Sequence, residues 1–213
     1  MEEIEVWGIG GPRNLRVHWT LEELGRNYKC HPIVTRSGDA NTDEYRKLNP
    51  REKIPTLRHN GFLLTESAAI AIYLSETLPS PEGFFVPVNT EGRARINEWC
   101  FFVMVELDAL SLYVSRRHLG LKNLFGEAPN AVKAGREYFI QQMGAMAPRA
   151  NSSGQYLMGD KFSVADILMV ACIEWAKKEE IEVQDEWLKY LSRVIKRPAY
   201  KRATEYNNSY PPV

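Results

Sequence analysis

The feature that most constrains the fold is a change of pattern at residues 79–90. Before this stretch, strand-type alternation and helical periodicity follow each other in turn, and after it every long segment has helical periodicity. The stretch itself is rich in Pro, Gly and Asn, a composition typical of a linker. We therefore predict a first domain at 1–79, a linker at 80–90 and an all-helical domain at 91–213.

The first domain has the element order βαβαββα, which predicts an α/β fold. Its last two strands flank Asn60-Gly61, and this dipeptide favours a tight hairpin because both turn positions need a positive φ. Thr42 is placed to cap the second helix. The predicted strands are Ile4–Ile9, Tyr28–Val34, Pro55–Arg58 and Phe62–Thr65, and the predicted helices are Leu15–Gly25, 42–48 and Ser67–Leu78.

The helical part begins with one long patterned segment, Glu91–His118. Further helices are predicted at 128–147, 163–176 and 185–195, the last ended by Pro198. Ser163 and Asp166 have the spacing of a capping box, which indicates a structural and not a catalytic role for both.

Composition excludes several classes of function. Among 213 residues, 27 Lys and Arg balance 27 Asp and Glu, so no strong positive field favours nucleic acid or a membrane surface. The three cysteines form neither a CxxC motif nor metal-type spacing, and four dispersed histidines form no cluster. We expect no metal, and we expect a soluble cytoplasmic protein because no apolar run approaches the ~18 residues of a membrane span.

Two segments carry chemistry beyond periodicity. A cis bond between Ile54 and Pro55 would expose the backbone of Ile54 to an extended peptide. Glu66-Ser67 lies at a strand-to-helix junction, where helix N–H groups attract a carboxylate and Ser67 adds a donor. Glu66 is placed to pair with an α-ammonium, so an amino-acid head group is the expected ligand.

Three stretches together, LNPREKIPTL, LLTESAAIAIYLSE and GDKFSVADI, resemble the cytosolic glutathione transferases along essentially the whole chain. The stretch ARINEWCFFVMVEL looks most like the bacterial beta-type branch. The resemblance implies a thioredoxin-like first domain that binds glutathione, a helical second domain and a homodimer. It also implies roles for six residues: Ile54 and Pro55 at the cysteinyl backbone, Glu66 and Ser67 at the γ-glutamyl group, and Lys53 and Arg36 at the glycine carboxylate.

The loop after the first strand departs from the family. The resemblance places a Tyr, Ser or Cys there to hold the glutathione thiolate, whereas this chain has Gly10-Gly11-Pro12-Arg13-Asn14. Asn14 is our first candidate because an amide donates a hydrogen bond, and Arg13 is the second because its charge lowers a thiol pKa, as the charge of Arg16 would. The alternative is that Asn14 caps the helix and that the arginines are solvated.

The resemblance implies that the second substrate lies between the domains, against the long helix. Phe102, Glu106 and Tyr113 have the helical spacing expected of residues that face it, although such a stripe also suits the core or a dimer interface. Phe101 and Val105 replace polar residues of the beta-type branch, which weakens the expectation of polar contact with the partner's glutathione.

The predicted function is transfer of glutathione to an electrophilic, largely apolar small molecule, with glutathione as co-substrate. One alternative is a glutathione-dependent peroxidase or disulfide reductase, and another is a non-catalytic glutathione-binding module. A cysteine mechanism is not expected, because Cys30 lies in a strand and Cys100 and Cys172 lie in apolar helix patterns.

Overall fold

A computed structural model of the chain describes residues 3–210, except for the side chain of Asn151. The chain divides into two compact units. One contains the residues up to Glu82 together with those from Ile195 onward, and the other is Gly83–Val194.

The first unit is built on a four-stranded sheet with the order β2-β1-β3-β4. Strand β1 is parallel to β2 and antiparallel to β3, and β3 is antiparallel to β4. This arrangement confirms the predicted βαβαββα order. The strands are β1 (Ile4–Ile9), β2 (Lys29–Val34), β3 (Thr56–His59) and β4 (Phe62–Thr65), and the helices are α1 (Pro12–Glu23), α2 (Asp43–Leu48) and α3 (Ser67–Thr77).

The core of this unit lies between the sheet and helices α1 and α3. Val6 of β1 and Leu57 of β3 are fully buried against apolar side chains of both helices, including Val17 and Ile70. The predicted hairpin is confirmed, since Asn60 and Gly61 have φ angles of 48° and 85°. These contacts fix the ends of β1 and β4 relative to the starts of α1 and α3.

A last helix, α10 (Pro198–Asn208), also belongs to the first unit. The rings of Trp19 in α1 and Tyr200 in α10 pack edge to face with centroids 4.9 Å apart. Arg197 donates from Nε to Glu23 of α1 at 2.7 Å. The sequence-based prediction assigned residues 195–213 to the helical domain. In the structure α10 belongs to the first unit instead, because it packs on α1.

The second unit consists of helices whose bounds differ from the prediction mainly in the first one. The predicted continuous helix Glu91–His118 is interrupted by two π-helical segments, Val103–Leu112 and Arg116–Gly120, which have wider i→i+5 bonding. The helices are α4 (Thr90–Phe102), α5 (Tyr113–Ser115), α6 (Lys122–Phe125), α7 (Pro129–Ser152), α8 (Val164–Lys178) and α9 (Asp185–Val194). None of the helices within residues 3–210 is long and apolar enough to cross a membrane.

Helix α8 runs through the core of the second unit and begins at the predicted capping box. The carboxylate of Asp166 is fully buried and accepts hydrogen bonds from the Ser163 N–H at 2.8 Å and the Tyr190 hydroxyl at 2.6 Å. It also accepts from the Leu157 N–H at 2.9 Å and the Ser163 hydroxyl at 2.7 Å. Asp166 therefore ties the start of α8 to the preceding loop and to α9.

Candidate active site

The end of β1 and the loop that joins it to α1 contain three glycines with positive φ angles, Gly8 in the strand and Gly10 and Gly11 in the loop. A Cβ atom built on Gly8 would lie 2.8 Å from Cβ of Ile54 and 2.6 Å from Oδ1 of Asn14. No side chain fits in this space, so glycine allows the segment before β3 to approach the end of β1 closely. The Ile54–Pro55 peptide bond is cis, which confirms that expectation.

Asn14, in the first turn of α1, is buried against this loop, with 2% of its surface exposed. Its Nδ2 donates to the carbonyl oxygen of Ile9 at 3.1 Å and to that of Gly10 at 2.5 Å. Within residues 3–210, no hydrogen-bond donor reaches its Oδ1, which is buried. Both N–H groups of the amide thus act on the loop itself, and a donor role toward glutathione would require Asn14 to give up one of these bonds.

Helix α1 begins without a side-chain cap. Its N-cap is Gly11, and the first helical residue is Pro12, which has no N–H. The next N–H groups, those of Arg13 and Asn14, are in the first turn, where the helix dipole is positive. The Arg13 side chain is half-buried at the same end of the helix. The start of α1 therefore offers positive potential beside the glycine loop.

Asn207 of α10 reaches the same loop from the other end of the chain. Its Oδ1 accepts from the Gly10 N–H at 3.0 Å, and its Nδ2 donates to the Gly11 carbonyl at 3.3 Å. The side chain is buried, so these bonds are shielded from water.

The start of α3 holds the predicted head-group residues. Glu66 is the N-cap and has a φ of 70°, a left-handed conformation that a non-glycine residue adopts rarely. Ser67 is the first helical residue and is buried. Its Oγ accepts a hydrogen bond from Nη1 of Arg16, a fully buried arginine of α1, at 3.2 Å. A positive charge thus stands directly behind the Ser67 hydroxyl.

The other predicted glutathione contacts are more exposed. Glu66 forms an ion pair with Arg51 at 2.6 Å, and both side chains are exposed. Lys53 has an exposed side chain, and its carbonyl accepts from the Tyr45 hydroxyl at 2.6 Å. Arg36 is exposed in the turn after β2, with a φ of 70°. The structure thus brings Arg51, which sequence reasoning missed, to Glu66.

A buried histidine, His18, forms a hydrogen bond with the backbone just before the loop. Nε2 of His18 lies 3.0 Å from the Gly8 carbonyl oxygen, which only accepts, so Nε2 carries the proton. Nδ1 therefore accepts from the Tyr28 hydroxyl at 2.9 Å. Burial lowers the pKa of His18 to about 4. His18 is thus a neutral structural donor, in keeping with the absence of a predicted role.

Phe102, Glu106 and Tyr113 are half-buried in the second unit, but they are not on one regular helix. Glu106 is in the first π-helical segment and Phe102 precedes it, so the helical spacing used to group the three residues does not apply. Oε2 of Glu106 accepts from the Tyr138 hydroxyl at 2.5 Å, which raises the pKa of Tyr138. The Phe102 ring packs edge to face on Trp99 at 6.1 Å.

The three cysteines lie in buried or half-buried positions. Cys100 and Cys172 are buried, and burial raises the pKa of the half-buried Cys30 thiol. Within the described part of the chain, no three His, Cys, Asp or Glu side chains are grouped as metal ligands.

Besides Arg51, sequence reasoning missed two residues of this site, Arg16 as the partner of Ser67 and Asn207 as the partner of the glycine loop. Arg16 was noted only as a nearby charge, and its burial is unusual for arginine. Asn207 lies 197 positions from Gly10 in sequence, and no motif marks it.

The chain matches two family profiles, described as the glutathione S-transferase N-terminal domain, at residues 2–76, and the C-terminal domain, at residues 107–198. It is 31% identical over 178 residues to the probable maleylacetoacetate isomerase 1 of Drosophila melanogaster, covering 83% of this chain and 69% of that protein. It is 26% identical over 198 residues to glutathione S-transferase GstA of Escherichia coli O157:H7, covering 91% and 93%.

A solved structure shares the fold. The glutathione transferase URE2P6 from Phanerochaete chrysosporium, in complex with oxidized glutathione, superposes with a TM-score of 0.85 at 22% identity, covering 98% of this chain and 97% of that one. Given the two domain matches and the relative at 31% identity, this chain belongs to the glutathione S-transferase family.

Proposed function

We propose that the protein is a glutathione transferase that holds glutathione as its thiolate and adds the sulfur to an electrophilic, largely apolar small molecule. The observation that carries this proposal is the buried pair of Arg16 and Ser67 at the start of α3. A serine hydroxyl backed by a guanidinium at a helix N-terminus is suited to a carboxylate, and the γ-glutamyl end of glutathione carries one.

In this proposal each end of glutathione has its own partners. Ser67 and the α3 N-terminus bind the γ-glutamyl carboxylate, while Glu66 takes the ammonium and shares it with Arg51. The backbone of Ile54, before Pro55, pairs with the cysteinyl unit as an added strand. Lys53 and Arg36 remain the predicted partners of the glycine carboxylate.

The thiolate is proposed to lie at the start of α1. The thiolate is the nucleophile, so the site must favour loss of the thiol proton. Positive potential from the uncapped helix end and the charge of Arg13 act in that direction. In this proposal Asn14 does not bind the sulfur itself but stabilises the loop beside it, because its two N–H groups already donate to the carbonyls of Ile9 and Gly10.

The reaction is an addition or a substitution, depending on the electrophile. In both, the thiol proton leaves to solvent and the sulfur forms a bond to the electrophilic carbon. In an addition, the electron pair displaced from that carbon moves to the neighbouring atom, which takes a proton from solvent; in a substitution, the pair departs with the leaving group. Phe102, Glu106 and Tyr113 remain the predicted contacts of the electrophile. Their half-buried rings and carboxylate would provide a largely apolar surface with one polar position.

A second candidate is glutathione-dependent isomerisation, which is favoured by the relative at 31% identity that is named a probable maleylacetoacetate isomerase. The same thiolate would add to an activated cis double bond, allow rotation about the resulting single bond, and leave again. Glutathione is regenerated in this reaction, whereas conjugation consumes it.

One experiment tests the proposal and separates the two reactions. The protein is titrated with glutathione while thiolate absorbance is followed in the ultraviolet, and it is then supplied with electrophiles while free thiol is counted. Saturable thiolate absorbance with loss of free thiol supports conjugation, and product without loss of free thiol supports isomerisation. Saturable binding without thiolate absorbance contradicts both and favours a binding module.

We further propose a cytoplasmic homodimer. The exposed apolar side chains Phe101 and Val105 on the long helix, and Phe62 and Leu63 on β4, are candidates for the dimer surface. The three cysteines are not joined in disulfides, which suits a reducing compartment.

A further inference from the structure

The segment proposed to lie next to the glutathione sulfur is Gly10–Gly11, and neither residue has a side chain that could restrict its backbone conformation. Gly10 and Gly11 have φ angles of 73° and 81°, which glycine reaches without strain. Glycine also loses more conformational freedom on folding than any other residue. The conformation of this loop must therefore be imposed by groups outside it.

The two glycines differ in their surroundings. A Cβ atom built on Gly11 would meet no atom of the described residues within 4 Å, so this position faces open space. A Cβ atom on Gly10 would lie 3.3 Å from the carbonyl oxygen of Tyr210. One side of the loop is thus covered by the chain after α10, and the other side is open at Gly11.

The side-chain amides of Asn207 and Asn14 form hydrogen bonds with the backbone of this loop. Asn207 accepts from the Gly10 N–H at 3.0 Å and donates to the Gly11 carbonyl at 3.3 Å. Asn14 donates to the carbonyls of Ile9 and Gly10. Three successive carbonyls and one N–H are therefore fixed, and a single side chain, Asn207, bonds to the N–H at the start and to the carbonyl at the end of the two-residue segment Gly10–Gly11.

We propose that Asn207 is a positioning residue for the sulfur of glutathione, because its bonds to the Gly10 N–H and the Gly11 carbonyl fix this two-residue segment so that the open backbone at Gly11 and the start of α1 face the thiolate. The inference rests on the proposed function. It explains how a loop without Tyr, Ser or Cys is kept in shape for a thiolate, and it makes α10 part of the sulfur site. Asn207 touches neither substrate, so its effect passes through the loop.

The test compares Asn207→Ala and Asn207→Leu with wild type, and Asn208→Ala is the control. Asn208 is the exposed neighbour on the same helix, so its substitution leaves the loop untouched. Leucine keeps nearly the size and branching of asparagine without its hydrogen bonds. Three quantities are measured: the affinity for S-methylglutathione, which has no thiol proton, the apparent pKa of the bound glutathione thiol, and the rate with a saturating electrophile.

We expect both Asn207 variants to bind S-methylglutathione within about twofold of wild type, since the head-group contacts of Ser67 and Glu66 remain. We expect the pKa of the bound glutathione thiol to rise by about one unit. At a pH below this pKa, the fraction of thiolate then falls about tenfold. The rate with a saturating electrophile should fall in proportion. Asn208→Ala should match wild type in all three measurements.

An unchanged thiol pKa in folded Asn207 variants overturns the inference while the proposed function stands. Equal losses of S-methylglutathione affinity and thiolate also overturn it, because they indicate a general structural defect. If neither variant folds, Asn207 is structural and the inference is rejected. Failure of wild type itself to bind S-methylglutathione overturns the proposed function and, with it, this inference.

Discussion

Nη1 of Arg16 donates to Oγ of Ser67 across 3.2 Å and joins the interior of α1 to the first residue of α3. Because Ser67 accepts this bond, its own proton is available for a ligand carboxylate. We predict that Arg16→Met weakens glutathione binding about tenfold, since a hydrogen bond to a charged group contributes ~1.5–3 kcal/mol.

The check is a double-mutant cycle with Ser67→Ala, measured by calorimetry. Arg16→Met should have little further effect once Ser67 is gone, because the charge acts through that hydroxyl. A tenfold loss in the Ser67→Ala background would contradict the prediction. Thermal unfolding of each variant confirms that the affinity refers to folded protein.

Glu66 is already partnered by Arg51 at 2.6 Å, so the ligand ammonium must share its carboxylate. We predict that Glu66→Ala combined with Ser67→Ala weakens glutathione by several kcal/mol, since each charge-assisted bond contributes ~1.5–3 kcal/mol. Glu44→Gln, an exposed carboxylate of α2, serves as the control. Equal glutathione affinity in the double variant and the control would contradict the assignment of Glu66 and Ser67 to the γ-glutamyl group.

His18 makes stability dependent on pH. Its pKa is about 4 in the native protein and near 6.5 when unfolded, so the unfolded chain binds a proton first as the pH falls. The free energy of unfolding should therefore fall between pH 6.5 and 4, by up to about 3 kcal/mol. His18→Gln should flatten this part of the profile in urea titrations. A slope equal to that of wild type would contradict the prediction.

Asp166 holds four hydrogen-bond donors around the start of α8. Asp166→Ala leaves these donors buried without a partner, at a cost of ~1–3 kcal/mol for each unsatisfied group. We predict a loss of about 3 kcal/mol or more in the free energy of unfolding, with little change in glutathione affinity at temperatures where the variant is folded. Asp160→Ala, an exposed carboxylate nearby in sequence, is the control, and equal urea midpoints would refute the prediction.

Phe101 and Val105 are 67% and 46% exposed on the long helix, an arrangement that favours a covered surface in a dimer. We predict sedimentation of wild type as a dimer of 24.4 kDa chains at micromolar concentration. Phe101→Glu with Val105→Glu should yield the monomer, because charge in an apolar interface is costly. Leu124→Glu, which is 64% exposed on α6, should leave the assembly unchanged. A monomeric wild type would end this proposal.

The order of elements in the first unit followed from local patterns, because alternation, periodicity and the Asn60-Gly61 turn all indicate the same structure. The prolines were harder to interpret. The helix predicted to end before Pro198 does end at Val194, but Pro198 also begins α10, which was not predicted. Pro12 begins α1 before the predicted Leu15. Both prolines lie at the first helical position, where a missing N–H costs nothing. A proline thus marks a boundary, but the sequence did not tell on which side the helix lies.

The candidate site could be proposed from the sequence where a short motif supplies neighbouring residues, as at Ile54-Pro55 and at Glu66-Ser67. It was not predictable where the partners are distant in sequence. Arg16 acts on Ser67, and Asn207 acts on Gly10, through contacts that depend on how α1, α3 and α10 pack. The π-helical segment at Val103–Leu112 was also missed, because apolar periodicity does not separate i→i+4 from i→i+5 bonding over so few turns.

The contact between α10 and α1 has a consequence for synthesis on the ribosome. Trp19 of α1 is fully buried and packs on Tyr200. The first unit therefore cannot cover this tryptophan until α10 emerges, after the entire second unit has been made. A nascent chain released at Glu82 exposes the side of α1 that carries Trp19, so the first unit reaches its native state late, although most of its sequence is translated first.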